Sequence, residues 1–195
     1  MTPLWLRLWH WGIAVLFVIL AVTGIVLTYS SASFALIDYG LADTLHQVTG
    51  ILFSVLFVGF LAASLANGYW RRYQRIGNGL FSRIGKFAGY VWNGAPMKPD
   101  ASDEGPSRLE LSRGFLILIQ HLLSIASIVI LSPLLIATGL VLYYPELMPE
   151  TVAGLGGVWP FALAHYWASV AGVLFLLFHV YISTIAGLRR MIKGR

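Results

Sequence analysis

Cysteine is absent from the chain. That excludes disulfides, covalently attached c-type haem, thiolate zinc sites and cysteine-held iron–sulfur clusters. Charge is scarce as well: Asp, Glu, Lys and Arg make up 11% of the residues against 58% hydrophobic ones, whereas soluble domains carry roughly a quarter charged residues. A soluble core of 195 residues has no room for so much apolar surface, but a bilayer accepts it as solvent does. Basic residues are missing from two long regions, 8–70 and 114–188. The net charge of +5 therefore reads as membrane topology and not as a nucleic-acid surface.

Four stretches contain no Asp, Glu, Lys or Arg. They run between Arg7 and Asp38, Asp43 and Arg71, Arg113 and Glu146, and Glu150 and Arg189. Each is long enough to cross ~30 Å of hydrocarbon as a helix. The pattern predicts helices at Leu4–Tyr29, Asp43–Asn67, Ser112–Tyr144 and Phe161–Ile192, with Pro133 kinking the third. Arg7, the apolar run from Gly12 to Leu27 and the small residues Ser30 to Ser33 have the outline of a cleaved leader. The length of the run and the three spans after it favour a resident helix.

Eight basic residues lie between the second and third spans (Arg71, Arg72, Arg75, Arg83, Lys86, Lys98, Arg108 and Arg113), and four lie beyond the last (Arg189, Arg190, Lys193 and Arg195). The other two loops carry only Asp38, Asp43, Glu146 and Glu150. The positive-inside rule puts both termini and the loop 71–111 in the cytoplasm. Within that loop, Gly79 to Trp92 reads as a short amphipathic helix on the membrane surface, and Pro96 to Pro106 as irregular chain. The expected fold class is an all-α membrane protein: one domain, residues 1–195, forming a four-helix transmembrane bundle with an interfacial helix in the cytoplasmic loop.

All five histidines fall in or at the ends of these spans. Ionisable side chains in a membrane are costly and usually functional. His165 and His179 are fourteen residues apart. At ~100° per residue they share one helix face, about 21 Å apart along the axis. That is too far for one ion, but it suits two porphyrins at different depths. His46 matches the level of His165, and His10 approaches that of His179. The expected axial pairs are His46 with His165 for an outer haem b, and His10 with His179 for an inner one. Gly24, Gly50 and Gly172 are read as clearance for the macrocycles or for a close helix. Neutral imidazole on both faces of an iron suits electron transfer and not oxygen chemistry. The bland reading is a set of hydrogen-bonding histidines between helices. His121 has three open roles: an inner ligand in place of His10, a quinone contact, or packing. Gln120 and Arg113 are its polar neighbours on the third span. Arg7, Arg113 and Arg189 are placed to offset inner propionates. The outer propionates are left to Tyr39, Tyr143, Tyr144, Tyr166 or Trp159, to water, or to a partner protein.

Arg7-Leu8-Trp9-His10-Trp11 with Thr23-Gly24, and Leu45-His46 with Gly50, resemble the first two helices of the b-type cytochrome subunits of nickel–iron hydrogenases. Leu134 to Gly139, running on to Tyr144-Pro145, is similar to the third helix of formate dehydrogenase gamma subunits. His165 through His179-Val180-Tyr181 resembles the fourth helix of both. His121 is nearer to what free-standing bacterial cytochromes b561 show, and Ile117 stands where the formate dehydrogenase subunits carry Asn. The resemblance implies a multi-pass cytochrome b of the bacterial inner membrane with His10, His46, His165 and His179 as haem ligands. It implies electron transfer between a periplasmic redox partner, either an iron–sulfur protein or a multihaem cytochrome, and a quinone (menaquinone or ubiquinone) near the cytoplasmic side. Such a chain is an electron-transfer subunit of a quinone-linked complex. The rival from the enzyme class is a self-contained cytochrome b561 acting on superoxide or quinone; the rival from the transporter class is a proton or metal channel.

Overall fold

The computed structural model describes residues 3–30, 37–68, 108–152 and 154–186, with isolated positions 71, 85, 89 and 92 in the long loop. The first span is α1 (Leu4–Tyr29) and the second is α2 (Tyr39–Ala66). The third runs through α3 (Arg108–Ala126), a π-helical turn at Ser127–Leu131 and α4 (Ser132–Tyr143). The fourth is α5 (Trp159–Ala186). All four are long and apolar enough to cross a membrane, and the protein is an all-α membrane bundle as expected.

Three helices start earlier than expected, and the first of these departures has a local cause. The second helix starts at Tyr39 and not Asp43, because the Asp38 carboxylate accepts a hydrogen bond from the Leu41 N–H at 2.9 Å and so caps the helix. The third starts at Arg108 and not Ser112, and the fourth at Trp159 and not Phe161. Pro133 does not end its helix. It sits in the first turn after the π turn, where the Ser132 N–H reaches back to Ser127 O; the wider turn absorbs the bond that a proline cannot make. Between the third and fourth spans, Thr151–Val152 pairs antiparallel with Leu155–Gly156, and Gly154 takes φ +77° in the turn, where the lack of a Cβ is needed. The interfacial helix expected at Gly79 to Trp92 lies outside the described residues except for Gly85, Gly89 and Trp92. Pro96 to Pro106 and the chain beyond Ala186 also lie outside them.

Much of the apolar surface faces outward, where a soluble bundle would be polar. Large apolar residues such as Val15, Val55, Val129 and Leu177 are exposed, while Thr23, Thr49, Ser64 and Thr138 are among the buried residues. Lipid is as good a solvent for leucine as a protein core is, so small and polar residues share the helix contacts with Leu6, Phe53, Phe57, Phe60 and Ile182. At the basic end, Trp9 stacks on Phe60 with ring centres 3.9 Å apart and donates its indole N–H to Leu56 O, which joins α1 to α2. At mid-depth, a Cβ built on Gly172 of α5 would lie 2.8 Å from the Phe17 ring of α1. Gly172 thus makes room for an aromatic ring between the two histidine levels, and not directly for a macrocycle. Gly172→Ala is expected to destabilise the fold by about 1–3 kcal/mol through overpacking. Phe17→Leu in the same chain should return part of that loss, as a double-mutant cycle in detergent unfolding will show.

Candidate functional site

The bundle brings four histidines from three helices into two pairs. His46 of α2 faces His165 of α5 with ring centres 6.3 Å apart, and His10 of α1 faces His179 of α5 at 6.1 Å. A ring nitrogen sits about 1.1 Å from the ring centre, and a metal–imidazole bond is roughly 2.0 Å. Two imidazoles gripping one ion therefore have centres about 6.2 Å apart. Both pairs stand at that separation. They are two-residue sets, and among the described residues no cluster of three or more His, Cys, Asp or Glu could hold a bare metal ion. A planar tetradentate macrocycle supplies the remaining donors, so the donor chemistry fits haem.

The outer pair is held by a device used twice. Thr23 Oγ1 donates to Ile19 O at 2.8 Å and lies 2.8 Å from His46 Nδ1. Thr138 Oγ1 donates to Leu134 O at 2.7 Å and lies 2.8 Å from His165 Nδ1. Each hydroxyl has spent its one hydrogen on its own helix, so its oxygen accepts from the imidazole. The proton is thereby assigned to Nδ1, and the Nε2 lone pair is left for iron. The glycine after each threonine completes the seat. A Cβ on Gly24 would lie 3.4 Å from His46 Cε1, and one on Gly139 would lie 3.3 Å from His165 Cε1. Thr-Gly on the first span thus seats the histidine of the second, and Thr-Gly on the third seats the histidine of the fourth. Gly24 and Gly50 both line the cavity between the helices, and the missing Cβ of Gly24 also leaves room for the His46 ring.

A cavity of about 550 Å³ lies between these helices, lined by His46, His165, Gly50, Phe53, Leu135 and Val170 among others. Its volume is that of a small-molecule or cofactor site. Tyr29, Tyr143 and Tyr166, with Asp43 and Gln47, line it toward the acidic loops. The Tyr29 and Tyr166 hydroxyls are 2.7 Å apart, and Gln47 donates to Asp43 at 3.0 Å. Tyr143 and Tyr166 are expected propionate partners that line the cavity. Tyr29 was missed because it reads from sequence as the interfacial end of a span.

The inner pair is built differently. Nδ1 of His10 and of His179 is buried and meets no hydrogen-bond partner among the described residues. Aromatic rings hold these imidazoles instead: Trp11 edge-on to His10 at 5.6 Å, and Phe175 against His179 at 5.4 Å. One turn beyond His179, Ser183 accepts a hydrogen bond from Gln120 Nε2 at 3.0 Å. Gln120 therefore faces α5, while the neighbouring His121 lies on the exposed side of α3, and the ring opposite His179 is that of His10. The Arg113 side chain lies outside the described residues.

Paired imidazoles inside an apolar four-helix bundle define the class of membrane cytochromes b. A profile of the prokaryotic cytochrome b561 family matches residues 2–194, and the chain belongs to that family. The family is one of multi-pass prokaryotic membrane proteins that bind haem b and transfer electrons. Among curated proteins it is similar to "Putative cytochrome YdhU" of Escherichia coli (strain K12), 26% identical over 180 residues, which are 91% of this chain and 65% of that protein. The chain thus spans just under two thirds of that relative's length. No solved structure matches it. Gly139→Ala is expected to push the His165 ring from its seat and to weaken haem retention at the outer level through an overpacking cost of about 1–3 kcal/mol. Haem-to-protein ratio after size-exclusion chromatography measures this, with Gly59→Ala, whose added Cβ meets nothing within 4 Å, as the neutral comparison.

Proposed function

We propose that the chain is a di-haem electron-transfer subunit, with His46 and His165 as axial ligands of one haem b and His10 and His179 as those of the other. The observation that carries this reading is the separation of both ring pairs, 6.3 and 6.1 Å, each that of two imidazoles sharing one iron. A haem with imidazole on both faces supplies one-electron exchange with no open coordination position. The chain's own residues do the rest. Thr23 and Thr138 hold the outer ring tautomers, Trp11 and Phe175 pack the inner rings, and the lipid-facing apolar surface keeps water out.

The positive-inside rule supports placing His10 and His179 on the cytoplasmic side of a bacterial inner membrane, with both termini in the cytoplasm. In this reading a periplasmic redox subunit, an iron–sulfur protein or a multihaem cytochrome, docks on the loops bearing Asp38, Asp43, Glu146 and Glu150, where charge steers association. A quinone, menaquinone or ubiquinone, exchanges electrons at the cytoplasmic end. The Gln120–Ser183 contact one turn from His179 supports that placement, and His121 and Arg113 stand on the same helix as Gln120. Pyridine haemochrome quantitation of the purified chain is expected to give two haems b per polypeptide, and His179→Ala is expected to leave one. A wild-type ratio of one, or a His179→Ala chain that keeps both haems, would contradict the assignment.

A further inference from the structure

The two ligand pairs differ in what stands behind the iron-facing nitrogens. At the outer pair both Nδ1–H groups donate to threonine oxygens, at 2.8 Å each. Those hydroxyls cannot turn to donate, because each is spent on a carbonyl of its own helix. An imidazole whose Nδ1–H is hydrogen-bonded carries more charge on Nε2 and is the stronger donor to a metal. Stronger donation on both faces stabilises ferric over ferrous iron and lowers the reduction potential. At the inner pair, Nδ1 of His10 and of His179 meets no such acceptor among the described residues.

Charge acts in the same direction. Asp43 lines the outer cavity, and Asp38, Glu146 and Glu150 share that end of the bundle. Arg7, one turn before His10, and the basic residues of the long loop and C-terminus belong to the other end. Negative charge favours the ferric state of a nearby iron and positive charge the ferrous state, less strongly where water screens it.

We infer that the Thr23 and Thr138 hydroxyls, through their contacts with His46 and His165, lower the potential of the haem between those rings and set part of the gap between the two haems. This rests on the two-haem reading above. Thr23 and Thr138 are positioning residues: they touch the ligands and not the metal.

The test is a potentiometric titration of the purified full-length chain with its haems, followed in the Soret and α bands. Thr23→Val and Thr138→Val keep the branched shape and remove the hydroxyl. With the haem count unchanged, the lower of two one-electron waves should rise while the upper stays in place. In the double variant the shift should be roughly tenfold in the reduction equilibrium, about 59 mV for one electron. Thr23→Ser and Thr138→Ser retain the hydroxyl and should titrate as the wild type does. A lower wave that does not move, or an upper wave that moves in its place, overturns the inference. If the valine chains lose haem, His179→Ala carries the test: its surviving wave must be the lower of the wild-type pair, and survival of the upper one refutes the assignment. A wild-type chain without two haems sinks the two-haem reading itself, whereas two haems with waves indifferent to the hydroxyls sink this inference alone.

Discussion

A histidine inside hydrocarbon has two ring nitrogens to satisfy and no water to satisfy them. That constraint organises the bundle. His46 and His165 each donate from Nδ1 to a threonine that has itself donated to a helix carbonyl. The chain imidazole, hydroxyl, carbonyl leaves one lone pair per ring pointing away from its support. Two such rings face each other at the separation of a shared metal. The helices are thereby set at fixed distances: α2 against α1 through Thr23, and α5 against α4 through Thr138.

The surrounding lipid also explains why so many large apolar residues face outward and some polar ones inward. With lipid outside, leucine and valine gain little by turning inward, and close contacts go to residues that can make hydrogen bonds or leave space. Thr23 and Thr138 are among the buried polar residues, and the glycines that follow them are where ligand rings lie. Gly172 serves a different need at mid-depth, receiving Phe17 where the two levels meet. Phe17 is seven residues from both His10 and Gly24, so one face of α1 presents His10, an aromatic ring and the seat of the His46 ring in turn.

Much of this was legible along the chain. Charge-free stretches give the spans because a charge in hydrocarbon is expensive wherever the helix packs. The fourteen-residue interval between His165 and His179 gives two levels because helical rise is fixed. Helix starts were misplaced where charge was read as the boundary: Asp43 lies inside α2, and Asp38, which caps it, is the true start. A rule that reads Asp as a cap, up to five residues before the first expected helical position, would have found it. The π turn before Pro133 has no comparable signal, since a proline can be accommodated by a kink, a break or a wider turn.

Sequence by itself determined the solvent of this protein, the number of its spans and the depth of each histidine, because hydropathy, helix length and helical rise depend only on residues near one another in the chain. Tertiary structure decided which rings face each other, that His10 and not His121 stands opposite His179, and that Thr23 and Thr138 carry the outer imidazoles. Those are matters of helix rotation and pairing. Rotation is set by contacts between residues 23 to 137 positions apart, and no local pattern in a uniformly apolar helix records it.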